Sequence, residues 1–218
     1  MAGIIRVLLV DDHAVVRMGY KALLSLSDRI GEVWEADRGE TACQLYTQVQ
    51  PEVVVMDLSM PGLGGYETIR RLLFRDPNCK ILVFSFHQEA IFVARALKAG
   101  AKGYITKNNA PETLIAAVCA IAEGGHFIDS LLAQQLAVIM AAEQDESARI
   151  NALSPREFDI FCLLAAGSTT REAAMKLCLS YKTVCNHTTS LKEKLGVRTL
   201  AELTLLAGRQ GIVNTTCG

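Results

Sequence analysis

Short, continuous apolar runs rich in β-branched residues recur through the first half of the chain, separated by stretches of helical period. The runs cover residues 4–10, 32–36, 53–57, 80–85 and 103–106. Val53-Val54-Val55-Met56 is typical: it does not alternate with polar residues, as expected of a strand buried on both faces of a parallel sheet. Between the runs, apolar positions at helical spacing predict helices near residues 14–27, 40–48, 66–75, 89–99 and 112–123. Regular alternation of this kind predicts an α/β doubly wound domain with a five-stranded parallel sheet. Gly100 is placed as a left-handed cap on the fourth helix. Pro61-Gly62 and Gly64-Gly65 mark a loop after the third strand.

The pattern then changes. Residues 130–142 predict one further helix, and the polar stretch 143–151 predicts a linker. From there the chain is all-α in pattern. Ser154-Pro155-Arg156-Glu157 is a capping box with Pro in the first turn, and Gly167 ends the helix it starts. A short helix over 171–177 and a longer one over 181–195 flank the tight turn Cys178-Leu179-Ser180. Ala173, Ala174 and Leu177 on the first, and Val184, Leu191 and Leu195 on the second, share an inward face, which predicts a helix-turn-helix. Lys182, Thr183, Asn186, Thr189 and Lys192 then lie on the outward side, the side that enters the major groove in such motifs. A last helix is expected over 200–209.

Charge supports two jobs for two domains. Residues 152–218 hold eight Lys/Arg against five Asp/Glu, a surplus of +3; the formal total is −1, so the remainder carries −4. A basic end suits nucleic acid. With 218 residues, 50% of them hydrophobic, there is material for two cores. No stretch approaches the ~18 apolar residues of a membrane span. The first run carries Arg6 and ends in Asp11-Asp12, so it is not read as a signal peptide. Seven scattered cysteines without a C-x-x-C pair suggest reduced thiols in a cytoplasmic protein.

Chemistry gathers where the strands end. Asp11 and Asp12 follow the first run, Asp57 closes the third, Ser85 the fourth, and Lys107 follows the fifth. Ligands of such sheets bind at the carboxyl ends of the strands. Asp57 is the candidate nucleophile, since a carboxylate accepts a phosphoryl group as an acyl phosphate. Attacker and donor are both anionic, so a Mg²⁺ ion held by the neighbouring carboxylates Asp11 and Asp12 is expected to offset the repulsion. Lys107 adds a fixed positive charge, and Ser85 a hydroxyl for a phosphoryl oxygen.

The segments V-L-L-V-D-D-H, V-V-V-M-D-L-S-M-P-G-L-G-G, F-S-F and A-G-A-K-G-Y-I-T-K resemble the receiver domain of two-component response regulators over residues 4–124. The resemblance implies a flavodoxin-like fold, with Asp57 as phosphoacceptor and Asp12 and Asp57 as metal ligands, Asp11 assisting through water. It also implies that the Ser59 backbone carbonyl faces the metal and that Tyr104 is the aromatic that changes rotamer on activation. Many receivers have Pro after the lysine; here the residue is Asn108. Haloacid-dehalogenase-like phosphatases also use an aspartate nucleophile, but they place a second Asp two residues on. Ser59 stands there, so a turnover enzyme is not expected.

The segments L-S-P-R-E, L-L-A-A-G, L-S-Y-K-T-V-C-N-H and K-L-G-V-R-T-L-A-E-L resemble the LuxR-type DNA-binding domain over residues 152–213. Together the two parts resemble the NarL/FixJ class, nearest its GacA/UvrY-like members. Expected domains are a receiver over 1–124, helix and linker over 125–151, and the DNA-binding domain over 152–218. Cys185 stands where Lys is frequent, so base reading is expected to lean on Asn186, and phosphate attraction on Lys182, Lys192, Lys194 and Arg198. His187 is either a phosphate contact or a packed, capping residue. The class implies a sensor histidine kinase as donor, promoter DNA as target, and a homodimer on activation.

Overall fold

The computed structural model describes residues 3–109, 111–141 and 145–213. The chain divides into two compact units, residues 1–88 with 92–133, and residues 134–218 with 89–91.

In the first unit the apolar runs become β1 (Ile5–Val10), β2 (Ile30–Ala36), β3 (Val53–Met56), β4 (Ile81–Ser85) and β5 (Gly103–Thr106). Helices α1 (Ala14–Leu24), α2 (Gly39–Val49), α3 (Gly64–Arg75), α4 (Ala90–Lys98) and α5 (Pro111–Ala122) alternate with them. The continuous runs are buried as their pattern requires: every residue of β3, β4 and β5 is buried. All pairings are parallel, in the order β2-β1-β3-β4-β5-β6. The order reverses at β1, with β2 on one side and β3 on the other, and the crevice at such a switch point is where ligands bind. Leu24 of α1 and Leu114, Ala117, Val118 and Ile121 of α5 pack with Val7, Leu9, Val55 and Leu82 into one core.

Among the described residues the sheet has six strands, not five. β6 (Phe127–Ile128) adds itself beyond β5, pairing Gly103 with Phe127 and Tyr104 with Ile128. Two residues are too few to show a period, so the pattern did not announce this strand.

In the second unit, α6 (Ser130–Ala141) continues out of the first, and α7 (Asp145–Asn151) follows. Residues 145–151, expected as polar linker, are therefore helical; Ile150 and nearby Leu153 are buried, apolar anchors that the polar average of the stretch concealed. Residues 142–144 of the expected helix and linker, and Cys217, lie outside the described residues. Then come α8 (Pro155–Ala165), α9 (Thr170–Lys176), α10 (Tyr181–Leu195) and α11 (Leu200–Arg209). Capping boxes start three of these: Ser154 with Glu157, Thr169 with Glu172, and Thr199 with Glu202. Phe158, Phe161, Val184, Leu191 and Leu203 are buried completely. No helix among the described residues is long and apolar enough to cross a membrane.

Candidate functional site

The strand ends converge. Beyond β1, β3 and β5 the parallel ladder runs on by one residue: the Asp11 N–H donates to the Ala36 carbonyl at 3.1 Å, Asp57 to Val10 at 2.9 Å, and Lys107 to Ser85 at 2.8 Å. Each functional residue is thus fixed by its backbone at the sheet edge. Gly65 makes the fit close: a Cβ there would stand 2.3 Å from the Asp57 carbonyl oxygen.

Lys107 Nζ donates to Asp11 Oδ2 at 2.6 Å and to Asp57 Oδ2 at 2.8 Å, and all three side chains are buried. Two carboxylates and one ammonium leave this group one negative charge in excess. Burial pushes the Asp57 carboxyl above its ordinary value; Lys107 opposes the shift and the Asp11 charge adds to it. Desolvation pulls the Lys107 ammonium down, but the two carboxylates outweigh it and hold the lysine charged. Asp11 is fixed further by the His13 N–H on Oδ1 at 2.8 Å and by Arg17 Nη1 on its carbonyl at 2.7 Å.

Ligand atoms of Asp11, Asp12, His13 and Asp57 lie within 4.8 Å of one another. Asp12 Oδ1 is shielded from solvent and accepts no hydrogen bond, although His13 Nδ1 stands 2.9 Å from it in an ion-pair contact. Excess negative charge, three carboxylates and an unsatisfied oxygen suit a hard divalent cation.

Ser85 is fully buried, and its hydroxyl accepts the His87 N–H at 3.4 Å. Tyr104 is also fully buried, its hydroxyl donating to the His87 carbonyl at 2.9 Å. Ser59 shares the loop of Asp57: its N–H is 3.4 Å from Asp57 Oδ1 and its hydroxyl 3.0 Å from His87 Nε2. His87 therefore touches Ser59, Ser85 and Tyr104, a meeting that sequence reasoning missed; its position two residues beyond Ser85 was the one available signal. No peptide among the described residues is cis, so the Lys107–Asn108 link is trans.

In the second unit, α9 and α10 form the helix-turn-helix, joined through Cys178 in a left-handed conformation at φ 53°. The Ser180 hydroxyl caps α10 by accepting the Thr183 N–H at 3.0 Å. Val184, Leu191 and Leu195 face inward as expected, and Lys182, Asn186 and Thr189 are exposed. Thr183 also contacts the Ser180 hydroxyl, and the Thr189 hydroxyl bonds back to the Cys185 carbonyl. His187 and Lys192 are half-buried, with Lys192 Nζ 3.3 Å from the Arg198 carbonyl. Lys194 is different: it is engaged with the buried carboxylate of Glu157, at 2.8 and 2.7 Å. The structure gives this lysine a carboxylate partner, while its side chain stays 42% exposed.

The chain matches the family described as "Response regulator receiver domain" over residues 7–119. It matches "Bacterial regulatory proteins, luxR family" over residues 151–207. The transcriptional activator protein ExaE of Pseudomonas putida is 41% identical over 208 residues, 95% of this chain and 97% of that protein. Response regulator GacA of Pseudomonas aeruginosa is 38% identical over 210 residues, 96% of this chain and 98% of the relative. Among solved structures, RcsB of Salmonella enterica serovar Typhimurium, bound to promoter P1flhDC with the phosphomimetic BeF3−, aligns with a TM-score of 0.67. The two share 26% identity over 94% of this chain and 100% of that one.

Proposed function

We infer that the protein is a DNA-binding switch set by phosphorylation, from the premise that the chain belongs to the response regulators, with a receiver domain followed by a luxR-family regulatory domain. The domains are assigned to residues 1–124 and 152–218, with 125–151 between them. Asp57 is the phosphoacceptor. One of its carboxylate oxygens attacks phosphorus, the bond from phosphorus to the donor breaks, and the donor departs with that electron pair. Asp11, Asp12, Asp57 and the Ser59 backbone carbonyl are the residues assigned to Mg²⁺, which supplies the positive charge an anionic donor needs. Lys107, already on Asp57, turns its ammonium to the phosphoryl oxygens; Ser85 gives a hydroxyl to one of them. Tyr104 reports the change through its bond to the β4–α4 loop at His87.

A sensor histidine kinase is the donor this reading requires, and promoter DNA the target, bound by a homodimer. Lys182, Thr183, Asn186, His187, Thr189 and Lys192 form the DNA face, Asn186 as base reader and the lysines on phosphate. The promoter-bound RcsB structure, containing a phosphomimetic, supports this reading by likeness.

The observation that carries the reading is the buried Asp11–Lys107–Asp57 group at the switch point of the sheet. Incubation with Mg²⁺ and acetyl phosphate tests it. The native chain is expected to take up label and Asp57→Asn none; undiminished labelling of the variant overturns the assignment.

A further inference from the structure

The sixth strand ends at an unusual junction. The carbonyl of Asp129 accepts the Ala133 N–H at 2.8 Å, and its Oδ1 accepts the Leu131 N–H at 2.9 Å. Those two bonds make Asp129 the N-cap of α6. Its other oxygen, Oδ2, accepts from Asn109 Nδ2 at 3.1 Å. Asn109 Oδ1 in turn accepts the Thr106 hydroxyl at 3.0 Å, and the Asn109 N–H reaches the Thr106 carbonyl at 3.2 Å. The amide orientation is fixed by chemistry, since a carboxylate only accepts and the amide nitrogen must face it. Thr106 is buried at the end of β5, and Asn109 is half-buried two residues past Lys107.

One carboxylate therefore divides its oxygens between a helix start and the loop that carries Lys107. We propose that Asn109 and Asp129 form a clip that transmits the state of the Lys107 loop to the start of α6, the helix leading out of the receiver. The proposal rests on the reading of Asp57 as phosphoacceptor. Lys107 is held by two carboxylates, and a phosphoryl group on one of them redraws the pull on its ammonium. The loop from Thr106 to Asn109 is short and bonded to itself, so a shift of Lys107 moves Asn109. Because the clip shares its carboxylate with the cap, a change at Asn109 alters the first turn of α6. Asn109 and Asp129 are positioning residues and touch no reacting atom.

The test compares the full chain with Asn109→Leu and Asn109→Asp, with and without beryllofluoride and Mg²⁺. Amide hydrogen exchange at Leu131 and Ala133 is read beside acetyl-phosphate labelling. In the native chain, beryllofluoride is expected to change exchange at these two amides by about fivefold or more. Asn109→Leu should take up label normally and lose that response. Asn109→Asp places a second negative charge against Asp129 and should speed exchange at Leu131 without activation. An unaltered response in Asn109→Leu, or no response in a native chain that takes up label, overturns the clip. A native chain that takes up no label overturns the phosphoacceptor reading, and the clip falls with it.

Discussion

Glu157 receives the ammonium of Lys194 on both carboxylate oxygens while also capping its own helix. Oε2 accepts the Ser154 N–H at 2.8 Å, and Oε1 the Ser190 hydroxyl at 2.7 Å. One side chain thus closes the start of α8 and pins α10 against it. Burial alone would raise this carboxyl, but Lys194, Ser190 and Ser154 outweigh it and bring it from 4.5 down to about 2. A pKa depressed in the folded state contributes stability that is fully present above 4.5 and is lost as pH falls towards 2. Lys194 is 42% exposed, so solvent screens part of the pair. Acidification is expected to cost the helical unit about 2 kcal/mol across that window. Urea unfolding, followed by amide protection in α8 and α10, should show the loss in the native chain and flatten it in Glu157→Gln. An equal pH dependence in both would contradict the pairing.

Gly65 sits where a side chain has no room. A Cβ would lie 2.3 Å from the Asp57 carbonyl oxygen and 2.6 Å from Leu58 Cα, both backbone atoms that cannot turn aside. Gly65→Ala is therefore expected to destabilise the receiver by about 1–3 kcal/mol and to slow labelling at Asp57. Thermal unfolding and the rate of acetyl-phosphate labelling check it; native values for both would show the loop to be softer than its geometry.

The lysines of α10 divide by role. Lys182 is exposed on the first turn, and Lys192 lies further along the same helix. Replacing both by Ala should weaken DNA binding across sequences and lower the salt slope of log affinity by about 2. Lys194→Ala should leave that slope near its native value and lower stability instead. A salt titration of DNA binding separates the two, and a slope reduced as much by Lys194→Ala would return that residue to the DNA face.

The strands that carry the site were legible because burial on both faces writes a continuous apolar run; β5 lies over 103–106 as expected, and β3 ends one residue short of it. Asp11, Asp57, Ser85 and Lys107 were legible because each follows such a run, and strand ends meet at one edge. Helix α10 was legible from the tight turn before it and from the inward spacing of Val184, Leu191 and Leu195. Contacts that join distant segments were not. His87 meets Ser59 across 28 positions, and Lys194 meets Glu157 across 37, and no local period encodes either pairing. The pairing of Lys194 was not legible because a basic residue on a helix reads alike in sequence whether or not a buried carboxylate from another helix meets it.

In this regulator the state of Asp57 is expected to set DNA affinity. The direct measurement is binding to a pool of genomic DNA fragments, with and without beryllofluoride and Mg²⁺, for the native chain and Asp57→Asn. Sequence-selective binding should rise on activation in the native chain and not respond in the variant. Equal binding in both states of the native chain would contradict it.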